Sequence, residues 1–194
     1  VTRTLILLAL VLPASACDRA ARPQPALGRA GSPAPHASPS ALFERGRALA
    51  QRGDLGRAQQ YLALALRAGY PERRATLALV QVCIAASRLR EALEYASASL
   101  RRHPDDWRLR YVAAAIEAAL GRHARAADEL RRVIAQRPDA ADPHYLAAVV
   151  ARDARGDDEA TREGFSAYLA RAPHGAFAAE AAAWLAEHPE EDAP

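Results

Sequence analysis

"RLRYVAAAIEAALGRHARAADELRRVIAQRP" runs from Arg108 to Pro138. Its two halves are built from Ala, Leu, Arg and Glu, all strong helix formers. Between them sits Gly121-Arg122, and glycine supplies the backbone freedom a tight turn requires. Proline closes the stretch, where a helix cannot continue. The segment therefore reads as helix, turn, second helix. An upstream stretch, "LFERGRALAQRGDLGRAQQYLALALRAGYP" (Leu42 to Pro71), follows the same plan with its turn at Gly53-Asp54.

The plan recurs with a period. Pro71 to Pro104 is 33 residues, Pro104 to Pro138 is 34, and Pro138 to Pro173 is 35. Ala58, Ala92 and Ala126 lie 34 apart. A period in this range marks stacked supersecondary units, each unable to bury its apolar face alone. From Ala41 to Glu187 no run alternates apolar and polar residues long enough to suggest a sheet. The expected class is all-α: about four helix-turn-helix units and a closing helix at Gly175–His188. Phe177, Trp184 and Leu185 of that helix would cover the last unit, with Glu180 and Glu187 on its other face. Asp105-Asp106 and Asp142-Pro143 are expected to start helices, with Asp142 as N-cap.

These residues resemble the tetratricopeptide repeat, a 34-residue helix-turn-helix unit stacked as a right-handed superhelix. The first unit offers Gly46, Leu49, Gly53, Ala58, Leu62, Ala65 and Pro71 at the family's characteristic positions. The second offers Val80, Cys83, Ser87, Ala92, Ala96, Ser99 and Pro104. The third offers Ala114, Gly121, Ala126, Leu130, Val133 and Pro138, and departs at position 11, where Glu117 replaces an apolar residue. The fourth is looser, with Gly156 in the turn and Thr161 in place of alanine. The resemblance implies that the first helices line a concave groove that binds proteins or peptides. Carried over by register, the groove residues are Phe43, Arg47, Gln51, Arg74, Gln81, Arg108, Tyr111 and Tyr145. Their arginines suit acidic peptides, because guanidinium pairs bidentately with carboxylate. The competing reading makes the three rings core and leaves the arginines solvated.

The chain opens differently. Leu5–Leu12 is apolar and Pro13 follows; a bilayer core needs roughly 20 apolar residues, so this run is too short to span one. Arg3, the apolar run and Ala14-Ser15-Ala16 have the zones of an export signal. Cys17 follows directly, and Ala14–Cys17 resembles a bacterial lipobox, whose cysteine carries lipid. The expected organisation is signal peptide 1–16, Pro/Ala-rich tether 17–40, repeat domain 41–188 and tail 189–194. The expected protein is a lipid-anchored adaptor facing the periplasm, assisting a pilus, secretion or outer-membrane assembly. Alternatives are a soluble periplasmic module cut after Ala16, or an accessory of a cell-wall enzyme.

Composition narrows the classes. All basic residues are arginine, and without the signal's Arg3 the charge is 25 − 23 = +2. Arginine interleaved with acids is a solvated surface and not the one-signed patch of a nucleic-acid binder. The six histidines are scattered and none pairs with Cys, Glu or another His at ligand spacing. Neither a phosphate-cradling glycine loop nor a nucleophile elbow occurs. No catalysis, cofactor, metal or small-molecule substrate is expected. Cys83, among apolar neighbours, reads as a small buried hydrophobe.

Overall fold

The computed structural model describes residues 37–154 and 158–189. The signal, Cys17, most of the tether and the turn at Gly156 lie outside the described residues. Among the described residues there are nine helices: α1 (Pro39–Gln51), α2 (Leu55–Arg67), α3 (Glu72–Ala85), α4 (Leu89–Leu100), α5 (Trp107–Ala119), α6 (His123–Gln136), α7 (Ala141–Asp153), α8 (Asp158–Arg171) and α9 (Ala178–Glu187). None is long and apolar enough to cross a membrane. Each helix packs mainly on its neighbours in the chain, α1 on α2, α2 on α3, and so on to α9. This is the one-dimensional contact pattern of a repeat solenoid, an all-α superhelix of four units and a closing helix.

The turns follow the local chemistry. Gly53 and Gly121 take φ of +80° and +74°, the left-handed region that glycine enters without a steric cost. Ser87 occupies the matching turn of the second unit at φ 58°. Asp54 caps α2 by accepting the Arg57 amide at 3.2 Å. Asp106 caps α5 by accepting the Leu109 amide at 3.0 Å.

Three expectations need correction. Ala140, not Asp142, is the N-cap of α7, so Asp142 and Pro143 fall inside the first turn. Pro143 is tolerated there because the first amides of a helix lack intrahelical acceptors. The closing helix begins at Ala178, after a turn in which Ala178 N bonds Gly175 O at 3.0 Å. Pro39 and Ser40, assigned to the tether, already belong to α1, with Ser38 capping it.

The core is four clusters in series. The first joins Phe43, Leu62 and Leu79, the second Val80, Ala92 and Ile116. The third joins Tyr111, Leu130 and Val150, the fourth Tyr145, Phe165 and Trp184. Each of α3, α5 and α7 contributes to two clusters. Ala58, Ala92 and Ala126 are fully buried at equivalent crossings, and Thr161 fills the fourth. Two glycines permit closer approaches. A Cβ on Gly46 would meet Leu62 Cγ at 2.7 Å, and one on Gly164 would meet Ala148 Cβ at 2.8 Å. Around Gly56 the space is open.

These surroundings give opposite signs to one substitution. Gly46→Ala and Gly164→Ala should each lower stability by roughly 1–2 kcal/mol, since overpacking outweighs the gain in helix propensity. Gly56→Ala should raise stability by about 0.5–1 kcal/mol. Urea unfolding followed by circular dichroism measures all three.

Candidate functional site

The groove expected on the first helices is only partly open. Arg47, Gln51, Arg74 and Arg108 are exposed and Gln81 is half-buried. Phe43, Tyr111 and Tyr145 are not available to a partner, being 4%, 7% and 0% exposed. Phe43 stacks on Tyr70 with ring centroids 4.1 Å apart. Tyr111 lies in the third cluster with its hydroxyl buried and without a hydrogen-bond partner among the described residues. Tyr145 stacks on Phe177 at 4.2 Å and donates its hydroxyl to Glu180 at 2.6 Å. Burial pushes both phenols well above their ordinary pKa, and for Tyr145 the bond to Glu180 adds to the shift.

The rings serve the site from beneath. The Arg74 guanidinium lies 5.9 Å from the Tyr70 ring centre, and Tyr70 itself rests on Phe43. Arg108 lies 4.7 Å from the Trp107 ring centre, and Arg137 lies 4.9 Å from the same ring. Such contacts orient a guanidinium while leaving its in-plane donors free for a carboxylate. Arg47 has only a loose, exposed contact with Glu44 at 3.8 Å. Leu77, 37% exposed, sits between Arg74 and Gln81 on α3. The first-helix face therefore offers one apolar side chain among three cations.

The face ends at the fourth unit. There α9 lies over α7, with Phe177 on Tyr145 and Glu180 accepting from both Tyr145 and Arg152, the latter at 3.2 Å. Glu180 is thus a clasp and not simply the solvent face of the closing helix. Sequence reasoning missed this role. The 35-residue interval from Tyr145 to Glu180 was a possible signal for the clasp, one repeat apart.

Comparison with known proteins places this geometry. Residues 84–152 match the tetratricopeptide repeat family. Among solved structures, the fold resembles YrrB, described as a TPR protein with an unusual peptide-binding site. That likeness has a TM-score of 0.64 at 22% identity, covering 75% of this chain and 74% of that one. MamA (residues 41 to the end) from Desulfovibrio magneticus RS-1 gives 0.63 at 18% identity, covering 72% and 78%. A tetratricopeptide repeat protein from Parabacteroides merdae gives 0.67 at 18% identity, covering 76% of this chain and 58% of that one. No curated protein matches the chain.

The fold is a tetratricopeptide-repeat solenoid.

Within that repeat frame Glu117, the departure at position 11, has a clear environment. Glu117 is 7% exposed and pairs with Arg122 at 3.1 Å and Arg125 at 4.0 Å. Arg122 also donates its amide to the Glu117 carbonyl at 2.9 Å, so the carboxylate is held by the turn it precedes. Cys83 is fully buried in the second cluster, and burial pushes its thiol up to about 11. Among the described residues no group of three or more His, Cys, Asp or Glu is arranged to hold a metal.

Cys83 should therefore resist alkylation. At pH 8 a thiol near 11 is about one part in a thousand thiolate, the reactive form. In a Cys17→Ser chain, iodoacetamide should leave native Cys83 unmodified for hours and label it within minutes in urea, read by mass spectrometry.

Proposed function

We propose that this protein is a non-enzymatic adaptor, held at a bacterial envelope membrane by lipid on Cys17 and binding acidic segments of envelope proteins on its first-helix face. The observation that carries the binding half is the set Arg47, Arg74 and Arg108, exposed arginines at groove positions on the first helices of three successive units, with exposed Leu77 among them. Cations on three successive first helices match an extended acidic chain lying across them, and the apolar side chain gives it an anchor. The repeat fold supports protein or peptide partners, and its rigid stack presents these groups at fixed separations.

The localisation half rests on Ala14-Ser15-Ala16-Cys17 and on the short apolar run before it. Acyl chains contribute about 0.8 kcal/mol per buried CH₂, and two chains give stable anchoring where one is marginal. Anchoring raises the effective concentration of a bound protein near the membrane. That is the mechanism by which such an adaptor would assist assembly of a pilus, secretion or outer-membrane complex.

Two experiments test the halves separately. Arg47→Glu, Arg74→Glu and Arg108→Glu combined should abolish in-cell crosslinks to partners while leaving the helical circular dichroism unchanged; crosslinks that persist would remove the binding half. In cells, Cys17→Ser should release the protein from the membrane fraction, and mass spectrometry of the wild-type mature N-terminus should find an acylated cysteine. A bare Cys17 in the soluble fraction would favour the soluble periplasmic alternative.

A further inference from the structure

A large cleft among the described residues lies away from the first-helix face. It runs between α6 and α8, the second helices of the third and fourth units, and has α7 as its floor. Its volume is about 1540 Å³, well above the roughly 300–1,000 Å³ of small-molecule pockets. His123 and Ala135 both line it, twelve residues apart on α6, so it is ~18 Å long at the helical rise. That length accommodates about three turns of a helix.

The neighbouring gaps between second helices are bridged or smaller. Between α2 and α4, Gln59 Nε2 donates to Glu91 Oε2 at 2.9 Å. The hollow beside α4, bounded by Leu93, Glu94, Arg101 and Arg122, is only about 370 Å³. The α6/α8 cleft stays open because eight of its twenty lining residues are alanine and two are glycine. Where α7 and α8 meet, Gly164 brings them close enough that no Cβ fits. Small residues on the walls and floor let another backbone come near, and half-buried Ile134 adds an apolar ledge.

The rim is cationic. Among the described residues Arg122, Arg125 and Arg131 line the α6 side and Arg171 the α8 side, against a single acid, Glu163. Arg125 and Arg131 are 72% and 78% exposed, and their nearest carboxylates, Glu117 and Asp128, engage only part of each guanidinium. A guanidinium has five donors, so each keeps capacity for a further acceptor.

We propose that this cleft docks an acidic amphipathic helix of a partner protein, its apolar stripe on the alanine floor and its carboxylates on Arg125, Arg131 and Arg171. The helix-in-groove mode needs an apolar trough flanked by charge of the opposite sign, and both are present here. The site does not share residues with the first-helix face, so one chain can hold two segments at once.

The test uses fluorescein-labelled, stapled 14-residue helices titrated against the full chain by fluorescence polarisation. One carries leucines at positions 1, 4, 8 and 11 flanked by glutamates; the second replaces glutamate by lysine; the third is an unstapled peptide of glutamate and glycine. The first should bind saturably, and the other two at least about tenfold more weakly. Arg125→Glu with Arg131→Glu, and separately Ala124→Trp to fill the cleft, should each weaken it by a similar factor. The Arg47/Arg74/Arg108 triple reversal should leave it unchanged. Absence of saturable binding, or binding lost only with the triple reversal, overturns the proposal. Equal binding of the glutamate–glycine peptide replaces the helix by an extended chain and overturns it also. Self-association removed by Arg125→Glu with Arg131→Glu, seen by sedimentation, would make the occupant a second copy and overturn it as well.

Discussion

Everything in this fold depends on first helices that are buried from two sides. In α5, Leu109 to Glu117 are buried without a break. Leu109, Val112, Ala113 and Ile116 face the second cluster, while Tyr111, Ala114 and Ala115 face the third. α3 and α7 divide their side chains in the same way. By contrast α2, α4 and α6 bury three residues each, the single stripe of a surface helix. A first helix removed from its neighbours would expose both of its faces, so no unit is stable alone and stability comes from the interfaces. The alanines at the crossings follow from this demand, since two backbones must approach closely at every step.

An array of this kind has two ends, and the chain closes each by a different device. α1 buries only Phe43, Gly46 and Leu49 and turns Glu44, Arg45 and Arg47 outward. It is a first helix with the composition of a second, so it needs no predecessor. At the other end α7 does need a successor, and α9 supplies it with Phe177, Ala181 and Trp184. That cover has a functional cost. It occupies the first-helix face of the fourth unit, which leaves the exposed groove-position arginines on the first three.

The sequence made the repeat legible because its determinants are local. Proline seams, turn glycines at 53 and 121, and alanines at 58, 92 and 126 act within one unit and can be read from spacing. The open surface is not local. Phe43, Tyr111 and Tyr145 stand at register positions that face a groove in the family, yet whether a ring faces solvent depends on what the next element lays over it. Tyr70 and Phe177 come from outside the helices in question, and nothing in the register specifies them. Glu117 broke the pattern for a reason visible only in three dimensions, where Arg122 and Arg125 converge on it. The α6/α8 cleft was hidden for the opposite reason. Alanine-rich helix reads as good helix, and only the packed structure reveals that alanines on three successive helices surround the same empty volume.

Burial also sorts the many arginines, which composition alone treats as equivalent. Arg110 is 8% exposed and is held by Glu129 at 2.6 Å and by the Pro104 carbonyl at 2.8 Å. Stripping a partner from such a pair leaves a charge without water, which is strongly destabilising. Arg110 and the close Glu117–Arg122 pair therefore belong to the scaffold, while Arg125, 72% exposed and 4.0 Å from Glu117, does not. Arg47 with Glu44 and Arg131 with Asp128 are different, with both members of each pair more than half exposed. Exposed pairs contribute little and are screened by salt. Exchanging Asp128 for a carboxylate on a partner costs the fold almost nothing, while the partner's apolar face desolvates the new pair and strengthens it. A nearly neutral protein can thus present two recruitable basic surfaces, because the acids that balance them on paper hold them only loosely.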